Sequence, residues 1–344
     1  MNRKLSRAYC LSFIMMVAFF NKAMSQDLHF SQYFNAPLLT NPANTGFEPD
    51  ADYRVGINYR NQWSGILNNP YKTMSAWGDA QLFNNRFENG WLGVGGVLLK
   101  DVAGSGDLSS TKVYGSVAYH QLLGYNSLLS GGFGIGAVNQ RIDLNKLTFD
   151  DQWNGKFFDV TIPTGEVFNS TSVWYLDLNV GLNYAIFPSD NAYINAGISV
   201  DHINMPNESF FSNTNADTKV PARFNTFING SFKVNDRWIL NPNAYVSVIS
   251  KSTEIVGGMN AHYNLSGDGT TQLIGGLYYR VKDAIIPMVG VVLSGVSATI
   301  SYDATSSSLG TYNQTLGAYE ISITKVGLFS TYSGKNVKCP TVKF

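Results

Sequence analysis

Residues 172–187, SVWYLDLNVGLNYAIF, alternate between apolar and polar side chains. The even positions from 174 to 186 are all apolar, which indicates a β-strand with one apolar face and one polar face. The stretch exceeds the roughly 9–11 tilted residues that cross a bilayer, and Trp174 and Tyr184 lie where membrane barrels carry aromatic girdles. Because hydrocarbon tolerates no open sheet edge, such a strand predicts a closed membrane barrel.

The composition is compatible with a barrel of this kind. Charged residues make up only 14% of the chain, which contains 33 Gly, 19 Tyr and 21 Phe. The mean hydropathy is -0.07, and no apolar run of about 18 residues, the length of a transmembrane helix, occurs beyond the N-terminal region. Composition by itself leaves a large soluble β-sandwich or propeller as an alternative.

Residues 1–25 have the pattern of a secretory signal peptide. Three basic residues precede an apolar stretch at 10–20, and the sequence Ala-Met-Ser before Gln26 is a small-x-small cleavage site. Cleavage there removes four basic residues and no acidic ones, so the formal charge becomes 20 − 24 = −4. This negative charge argues against a nucleic-acid-binding protein. Cys339 is then the only cysteine, which excludes an intramolecular disulfide.

The same alternation recurs along the chain and predicts an all-β fold, a single antiparallel transmembrane β-barrel of the outer-membrane type with about 14 strands. Pro242 and Pro287 fall inside two of the predicted strands, where a proline cannot donate a ladder hydrogen bond. The predicted strands are 52–60, 71–82, 91–100, 109–121, 128–140, 172–187, 191–203, 222–234, 237–249, 253–263, 271–281, 284–293, 296–303 and 316–328.

The lengths of the connections support a barrel over a sandwich. Every long connection follows an odd-numbered strand, and every connection after an even-numbered strand is short. Outer-membrane barrels have this asymmetry between external loops and periplasmic turns. If both termini lie on the periplasmic side, the long connections face the cell exterior. The predicted segments are 1–25 as signal peptide, 26–51 as an irregular periplasmic lead-in, 52–330 as barrel and 331–344 as periplasmic tail.

No motif in the chain predicts catalysis or a cofactor. The four histidines after the signal peptide lie apart, without HxH or HxxxH spacing, so a metal site is not predicted. No GxSxG motif occurs. We predict a protein that is not an enzyme, although a chain this rich in Ser and Asn can bring a Ser, a His and a carboxyl group together by chance.

Two outward connections carry candidate partner-binding residues. Aromatic residues in the connection 141–171 would form a partner surface if exposed, or a lid if they fold over the barrel mouth. His202, just before the connection that begins at 204, would either contact a partner or make an ordinary hydrogen bond at the base of the loop. The candidate residues are Trp153, Phe157, Phe158, His202 and Pro206.

Charged side chains of both signs also fall on the predicted polar faces of the strands. Opposite charges can pair across a narrow lumen and close it, whereas a solvated lumen is the alternative. These residues are Arg54, Arg60, Asp79, Lys112, Asp177, Asp201, Arg223, Lys233, Glu254, Arg280, Asp303 and Glu320.

The sequence QYFNAPLLTNPANTG at 32–46, with YRVGINYRNQW after it, resembles the type IX secretion system membrane proteins of the PorP/SprF family. The resemblance continues through SVDHINMPNESF at 199–210, ISYDATSSSLG at 300–310 and GAYEISI at 317–323. It covers nearly the whole chain after the signal peptide. The family-signature residues are Gln32, Tyr33, Asn41, Pro42, Ala43, Tyr302 and Asp303.

This resemblance implies an outer-membrane barrel of a Bacteroidota-type cell that works with the type IX export machinery. It implies a role in the export or surface anchoring of a secreted, adhesin-like cargo, as in gliding motility. The implied partners are that cargo or its C-terminal domain, and other secretion components that include periplasmic peptidoglycan-associated proteins. A passive porin or small-solute channel is an alternative function, and a barrel hydrolase is a third.

Overall fold

Fourteen strands form one closed antiparallel barrel in the computed structural model of the protein. The predicted signal peptide and most of the predicted tail lie outside the described residues. The structure describes residues 30–48, 51–83, 89–124, 126–159, 161–166, 168, 170–211, 218–308, 310–329, 342 and 344.

Each strand pairs with its two sequence neighbours, and β1 closes the barrel against β14. This arrangement confirms the predicted fold class and strand number. The strands are β1 (Tyr53–Gln62), β2 (Tyr71–Leu82), β3 (Gly90–Ala103), β4 (Leu108–Leu122), β5 (Ser127–Arg141), β6 (Ser172–Ser189), β7 (Ala192–Asp201), β8 (Arg223–Asn235), β9 (Trp238–Ile249), β10 (Ser252–Asn264), β11 (Thr271–Arg280), β12 (Ala284–Leu293), β13 (Val296–Thr305) and β14 (Ala318–Gly327).

Helical structure is limited to single turns in the part of the chain that the structure describes. None of these helices is long and apolar enough to cross a membrane. They are the α-helical turns α1 (Pro37–Thr40) and α2 (Gly310–Asn313), and the 3-10 turns Tyr33–Asn35, Pro42–Asn44, Leu144–Lys146 and Asp150–Gln152.

The two faces of the barrel follow the alternation in the sequence. On β6, Trp174 and Leu182 are exposed on the outer surface, whereas Asp177 and Asn183 are fully buried in the lumen. Exposed Leu, Ile, Val and Phe side chains recur at the outward positions of the other strands. Such a surface is suited to hydrocarbon and not to water.

Both strands that contain a proline form despite it. Pro242 pairs with Met259 of β10, but the ladder between β8 and β9 is interrupted beside it. Pro287 likewise pairs with Leu277 of β11, and the ladder between β12 and β13 skips the adjacent positions. Each proline thus faces a break in one ladder, where its missing N–H costs no hydrogen bond.

The connections divide between the two ends of the barrel as their lengths predicted. We call the end with the long connections the loop end and the other the turn end. At the loop end lie 63–70, 104–107, 142–171, 202–222, 250–251, 281–283 and 306–317, and at the turn end lie 83–89, 123–126, 190–191, 236–237, 265–270 and 294–295.

Residues 30–48, which we call the lumen segment, lie inside the barrel. We expected this part of the chain to be a periplasmic lead-in, and its position in the lumen corrects that expectation. The segment is irregular, as predicted, but its side chains are mostly buried and hydrogen-bond to strands all around the wall. Prolines and asparagines without a strand period indicated loop structure; they carried no information about which side of the wall the loop occupies.

The lumen segment runs from the loop end to the turn end. Ser31 lies beside Glu320, the third residue of β14 at the loop end. Phe47 packs with Trp91 and Leu128, which lie at the turn-end starts of β3 and β5. The lumen segment therefore descends through the lumen from the loop end to the turn end, the end at which β1 begins.

Candidate functional site

The signature asparagine of the lumen segment is bonded to the barrel wall. The Asn41 side-chain amide donates to the carbonyl oxygens of Leu182 and Ile198, at 3.0 and 3.1 Å. Its carbonyl oxygen accepts the Ala43 N–H at 2.8 Å and so caps the turn Pro42–Asn44. A Cβ atom at Gly181 would lie 1.9 Å from that same oxygen. The asparagine can approach the wall only because the residue beneath it has no side chain.

The following residues of the lumen segment need the same close approach. A Cβ atom at Gly132 would lie 2.4 Å from the Ala43 nitrogen, and one at Gly93 would lie 1.9 Å from the Thr45 carbonyl oxygen. These distances are far shorter than van der Waals contact. Glycines on the inner face of β3, β5 and β6 therefore form the floor on which the lumen segment lies.

A buried carboxylate holds the loop-end start of the lumen segment. The backbone N–H groups of Ser31 and Gln32 each donate to one oxygen of Glu320, both at 2.8 Å. The Ser31 hydroxyl donates to Asp303 at 2.7 Å. Hydrogen bonds of this charge-assisted kind compensate for the desolvation of both carboxylates.

Two arginines complete a charge cluster around these carboxylates. Arg60 contacts Asp303 at 2.9 Å and Glu320 at 3.4 Å. Arg280 contacts Asp303 at 2.6 Å and Glu254 at 3.3 Å. All five side chains are nearly fully buried, and each of them contacts at least one side chain of opposite charge in the lumen near the loop end. Of the two possibilities drawn from the sequence, opposite charges that close the lumen describe this region.

Six of the seven family-signature residues meet in the lumen. Gln32 donates to the Ser301 hydroxyl at 2.9 Å and accepts from Thr299 at 2.6 Å. Tyr33 stacks on Tyr245 with ring centroids 4.8 Å apart. Tyr302 is the exception, because the alternation of β13 turns it to the outer surface while Asp303 points inward.

Sequence reasoning missed the aromatic contacts of the lumen segment. Trp91 donates its indole N–H to the Gly46 carbonyl at 2.9 Å and stacks on His120, which contacts the Thr45 carbonyl at 2.8 Å. Trp77 donates to the Asn35 carbonyl at 3.1 Å. Trp77 lies on an otherwise polar inner face of β2, and Trp91 lies on the inner face of β3 with Val97 and Leu99. Large aromatic side chains on a lumen face were the signal that something packs inside the barrel.

A cavity of about 490 Å³ remains beside the lumen segment. It is lined mainly by side-chain amides and aromatic rings of the segment and of β7–β11, and the loop-end charge cluster is absent from its lining. The amides belong to Asn35, Asn44, Asn195, Asn229, Asn241, Asn243 and Asn260. The described residues include no group of three or more His, Cys, Asp or Glu that could hold a metal ion.

The aromatic residues predicted in the longest loop are exposed. Trp153, Phe157 and Phe158 expose 50%, 58% and 47% of their surface. Trp153 and Phe158 pair across a small hairpin with ring centroids 5.1 Å apart. The side-chain oxygen of Asn154 accepts the N–H groups of Lys156 and Phe157 and holds the turn between them. The three rings are therefore half-exposed on a braced hairpin.

The second long loop joins the first through an aromatic contact. Phe168 stacks on Phe211 with centroids 5.0 Å apart, and the Ser170 N–H donates to the Phe210 carbonyl at 3.3 Å. In this second loop the exposed apolar side chains are Ile203, Met205 and Phe211, which sequence reasoning did not name. We call the exposed apolar side chains of both loops the outer-loop surface: Trp153, Phe157, Phe158, Ile203, Met205 and Phe211.

The two residues of the second loop that were named from sequence are buried. His202 is 2% exposed and its Nδ1 contacts Asp177 at 2.8 Å. Pro206 is also buried, and its carbonyl accepts the Val220 N–H at 2.9 Å. His202 thus occupies the position of a hydrogen-bonding residue at the base of the loop, and neither side chain belongs to the outer-loop surface.

The base of the second loop hydrogen-bonds to the part of β6 that extends beyond β7. β6 has 18 residues and β7 only 10, so β6 extends beyond the end of its neighbour. The Ile203 N–H donates to the Leu178 carbonyl at 3.0 Å. The Asn204 side chain accepts from the Leu178 N–H and donates to the Leu176 carbonyl, at 3.2 and 2.6 Å. These bonds fix the loop against the edge of the longer strand.

Two titratable groups in the longest loop have shifted pKa values. A hydrogen-bonded ion pair with Asp107 raises the pKa of Lys146. Hydrogen bonds from the hydroxyl and N–H of Thr161 lower the pKa of Asp159. Both groups are therefore held in their charged forms in this loop.

The comparisons with known proteins identify the family. The family model described as type IX secretion system membrane protein PorP/SprF matches residues 23–324. The chain belongs to the PorP/SprF family of type IX secretion system membrane proteins. Asn41, Pro42 and Ala43, whose lumen contacts are described above, lie within the residues that the family model matches. No curated protein sequence matches the chain significantly.

Solved structures of other outer-membrane barrels share the fold. The Pseudomonas putida toluene transporter TodX matches with a TM-score of 0.50 at 12% identity, covering 85% of this chain and 92% of TodX. The Ralstonia pickettii toluene transporter TbuX matches with a TM-score of 0.47 at 12% identity, over 85% and 94% of the two chains. At such identity the likeness to TodX concerns the barrel fold alone.

Proposed function

We propose that this PorP/SprF family member is an outer-membrane barrel that supports the export or surface anchoring of a secreted, adhesin-like type IX cargo. The cargo, or its C-terminal domain, binds the outer-loop surface, and the loop end faces the cell exterior. The closed barrel serves as a rigid support for these loops. The asymmetry of the connections supports the orientation, because outer-membrane barrels place their long loops outside.

The observation that carries this proposal is the exposure of Trp153, Phe157 and Phe158 on a braced hairpin. Large apolar side chains held half-exposed in a fixed geometry form a contact surface that loses little conformational entropy on binding. Buried aromatic anchors of this type usually dominate the energy of an interface. Their position at the loop end places them where a surface-anchored cargo would meet the barrel.

The filled lumen argues against a passive porin. The lumen segment crosses the barrel from end to end, and the charge cluster around Asp303 lies at its loop-end start. A channel needs a continuous polar path, and the remaining cavity is lined by residues of the segment itself and of the adjacent wall. The same packing supports a role as a carrier or anchor of protein partners.

We infer that the protein is not an enzyme. His120 contacts the Ser130 hydroxyl at 2.7 Å, which is the kind of pair that a hydrolase would use. Both side chains are, however, fully buried against the lumen segment, and the second ring nitrogen of His120 contacts the Thr45 carbonyl. A substrate carbonyl has no room beside this serine, which supports a structural role for the pair.

Other secretion components would contact the turn end. If the loop end faces the exterior, the turn end with its short connections faces the periplasm. Periplasmic peptidoglycan-associated components of the machinery could reach the protein only there. Phe344 lies against Gly269 in the turn 265–270, which places the end of the chain at this surface.

The function is tested by replacing Trp153, Phe157 and Phe158 together with serine. The cargo should no longer be exported normally or retained at the cell surface, because its contact surface has been removed. Cargo on intact cells and in the medium is quantified by immunoblotting. Assembly of the variant barrel is verified by its heat-modifiable mobility in gels.

The matched control is Tyr312→Ser, which removes an aromatic ring that is 84% exposed on a different loop at the same end. This control should leave the cargo unaffected. Normal cargo handling by the assembled triple variant would show that these rings are not the binding site.

A further inference from the structure

A groove of about 510 Å³ crosses the outer surface of the barrel near the loop end. It spans β14, β1, β2, β3 and β4, and its outward side chains are mostly apolar. The walls are formed by Ile57, Met74, Leu98, Ile321 and Ile323. Because this face of the barrel contacts lipid, the natural occupant of the groove is a hydrocarbon chain.

The groove exists because a small residue lies between long ones. Ala76 is flanked by Ile57 on β1 and Leu98 on β3, its register partners on the two sides. All three side chains point outward. The larger side chains of Ile57 and Leu98 flank the methyl group of Ala76 and leave a depression that an extended acyl chain can occupy.

Two lysines lie at the loop-end edge of this groove. Lys100 is the register partner of Met74, and Lys72 lies two residues before Met74 on the same strand. Their Cβ atoms are therefore diagonal neighbours, about 7–8 Å apart. Both side chains are exposed on the lipid-facing side of the barrel, and Lys100 contributes directly to the lining.

No acidic side chain neutralises these lysines among the residues that the structure describes. Other lysines of the chain do have acidic partners: Lys146 contacts Asp107, and Lys233 contacts Asp236 at 3.1 Å. An unpaired pair of ammonium groups at a membrane interface attracts anionic lipid headgroups. The ammonium group is also a common ligand of phosphate in proteins.

We propose that Lys72, Lys100 and the groove beneath them bind a phosphorylated lipid of the membrane leaflet at the loop end. The phosphate lies between the two ammonium groups, and one acyl chain lies in the groove over Ala76. Charge complementarity at the edge and an apolar surface beneath it match the two parts of such a lipid. This site is separate from the outer-loop surface and does not depend on cargo binding.

The test uses the full chain purified in mild detergent, with phosphatidylglycerol as the anionic probe and phosphatidylcholine as the zwitterionic one. Bound lipid is counted by native mass spectrometry. The wild-type barrel should retain phosphatidylglycerol in preference to phosphatidylcholine. The double variant Lys72→Gln/Lys100→Gln should bind phosphatidylglycerol roughly tenfold or more weakly, because each lysine near the interface contributes to attraction of the headgroup.

A second variant, Ala76→Phe, fills the groove and leaves both lysines in place, and it should also lower retention of phosphatidylglycerol. The matched control is Lys251→Gln/Lys282→Gln, which removes two exposed lysines from loop-end turns that do not line this groove. Heat-modifiable mobility confirms that each barrel is assembled. The proposal is overturned by equal lipid retention in the wild type and in either site variant, by an equal loss in the control, or by no preference between the two lipids.

Discussion

The lumen and the outer-loop surface use the same aromatic residue types in opposite ways. In the lumen, Trp91 is 3% exposed, donates its indole N–H to Gly46 and stacks on His120. At the loop end, Trp153 is 50% exposed and packs edge-on against the ring of Phe158. The side chain of Trp91 is almost completely buried within the fold, whereas half of the surface of Trp153 is accessible to a partner.

This difference separates the family signature from the binding surface. Asn41, Pro42 and Ala43 lie on a floor of glycines inside the barrel, where no cargo can reach them. The exposed rings of Trp153, Phe157 and Phe158 lie at the loop end, apart from these lumen contacts. In this chain the lumen contacts hold the barrel together, whereas the exposed rings make few contacts within the fold.

We expect the largest effect from a substitution among the glycines on which the lumen segment lies. Gly93→Val should prevent assembly of the barrel, because a Cβ atom there would lie 1.9 Å from the Thr45 carbonyl oxygen. Both contacting groups are backbone, so neither can move aside as a flexible side chain would. Heat-modifiable mobility after expression or refolding measures the result.

Gly115→Val is the matched control on the adjacent strand. A Cβ atom at Gly115 would meet nothing within 4 Å, and valine is favoured in strands. This variant should assemble normally. If Gly93→Val assembles as well as Gly115→Val, the lumen segment does not lie against β3.

We expect a smaller effect, on the free energy of unfolding, from replacing either of the two tryptophans with alanine. Trp91→Ala should lower the free energy of unfolding by about 3–5 kcal/mol, as expected for a large buried aromatic side chain. Trp153→Ala should change it by less than about 0.5 kcal/mol, as expected for an exposed position. Urea titrations of the two refolded barrels give these values, and similar losses for both would mean that Trp153 is packed.

Much of the fold could be predicted because a membrane barrel imposes two simple rules on its sequence. Alternation with period two marks the strands, as in residues 172–187, and the lengths of the connections mark the two ends. Neither rule concerns the interior. A polar inner face is equally consistent with water and with a packed segment, so residues 30–48 could not be placed from their own sequence. Trp77 and Trp91 on lumen faces were the available signal.

The outer-loop surface could be predicted only in part for a related reason. Aromatic side chains in a loop rich in Asp, Asn and Gly indicated a partner surface or a lid, and the choice depends on contacts that the sequence does not contain. In the second loop, His202 adopts a positive φ of 57° and turns inward onto Asp177. That turn buries His202 and exposes Ile203 and Met205, an outcome that residue types alone do not reveal.

The most direct measurement is photo-cross-linking in living cells from one position in each region. A photoreactive phenylalanine analogue is placed at Phe157 on the outer-loop surface or at Phe34, which lines the lumen cavity. Both barrels are checked for assembly, and adducts are identified by mass spectrometry. We predict an adduct between position 157 and a secreted protein, and none with a second protein from position 34. An adduct from position 34 together with none from position 157 would contradict a closed lumen and place partner binding inside the barrel.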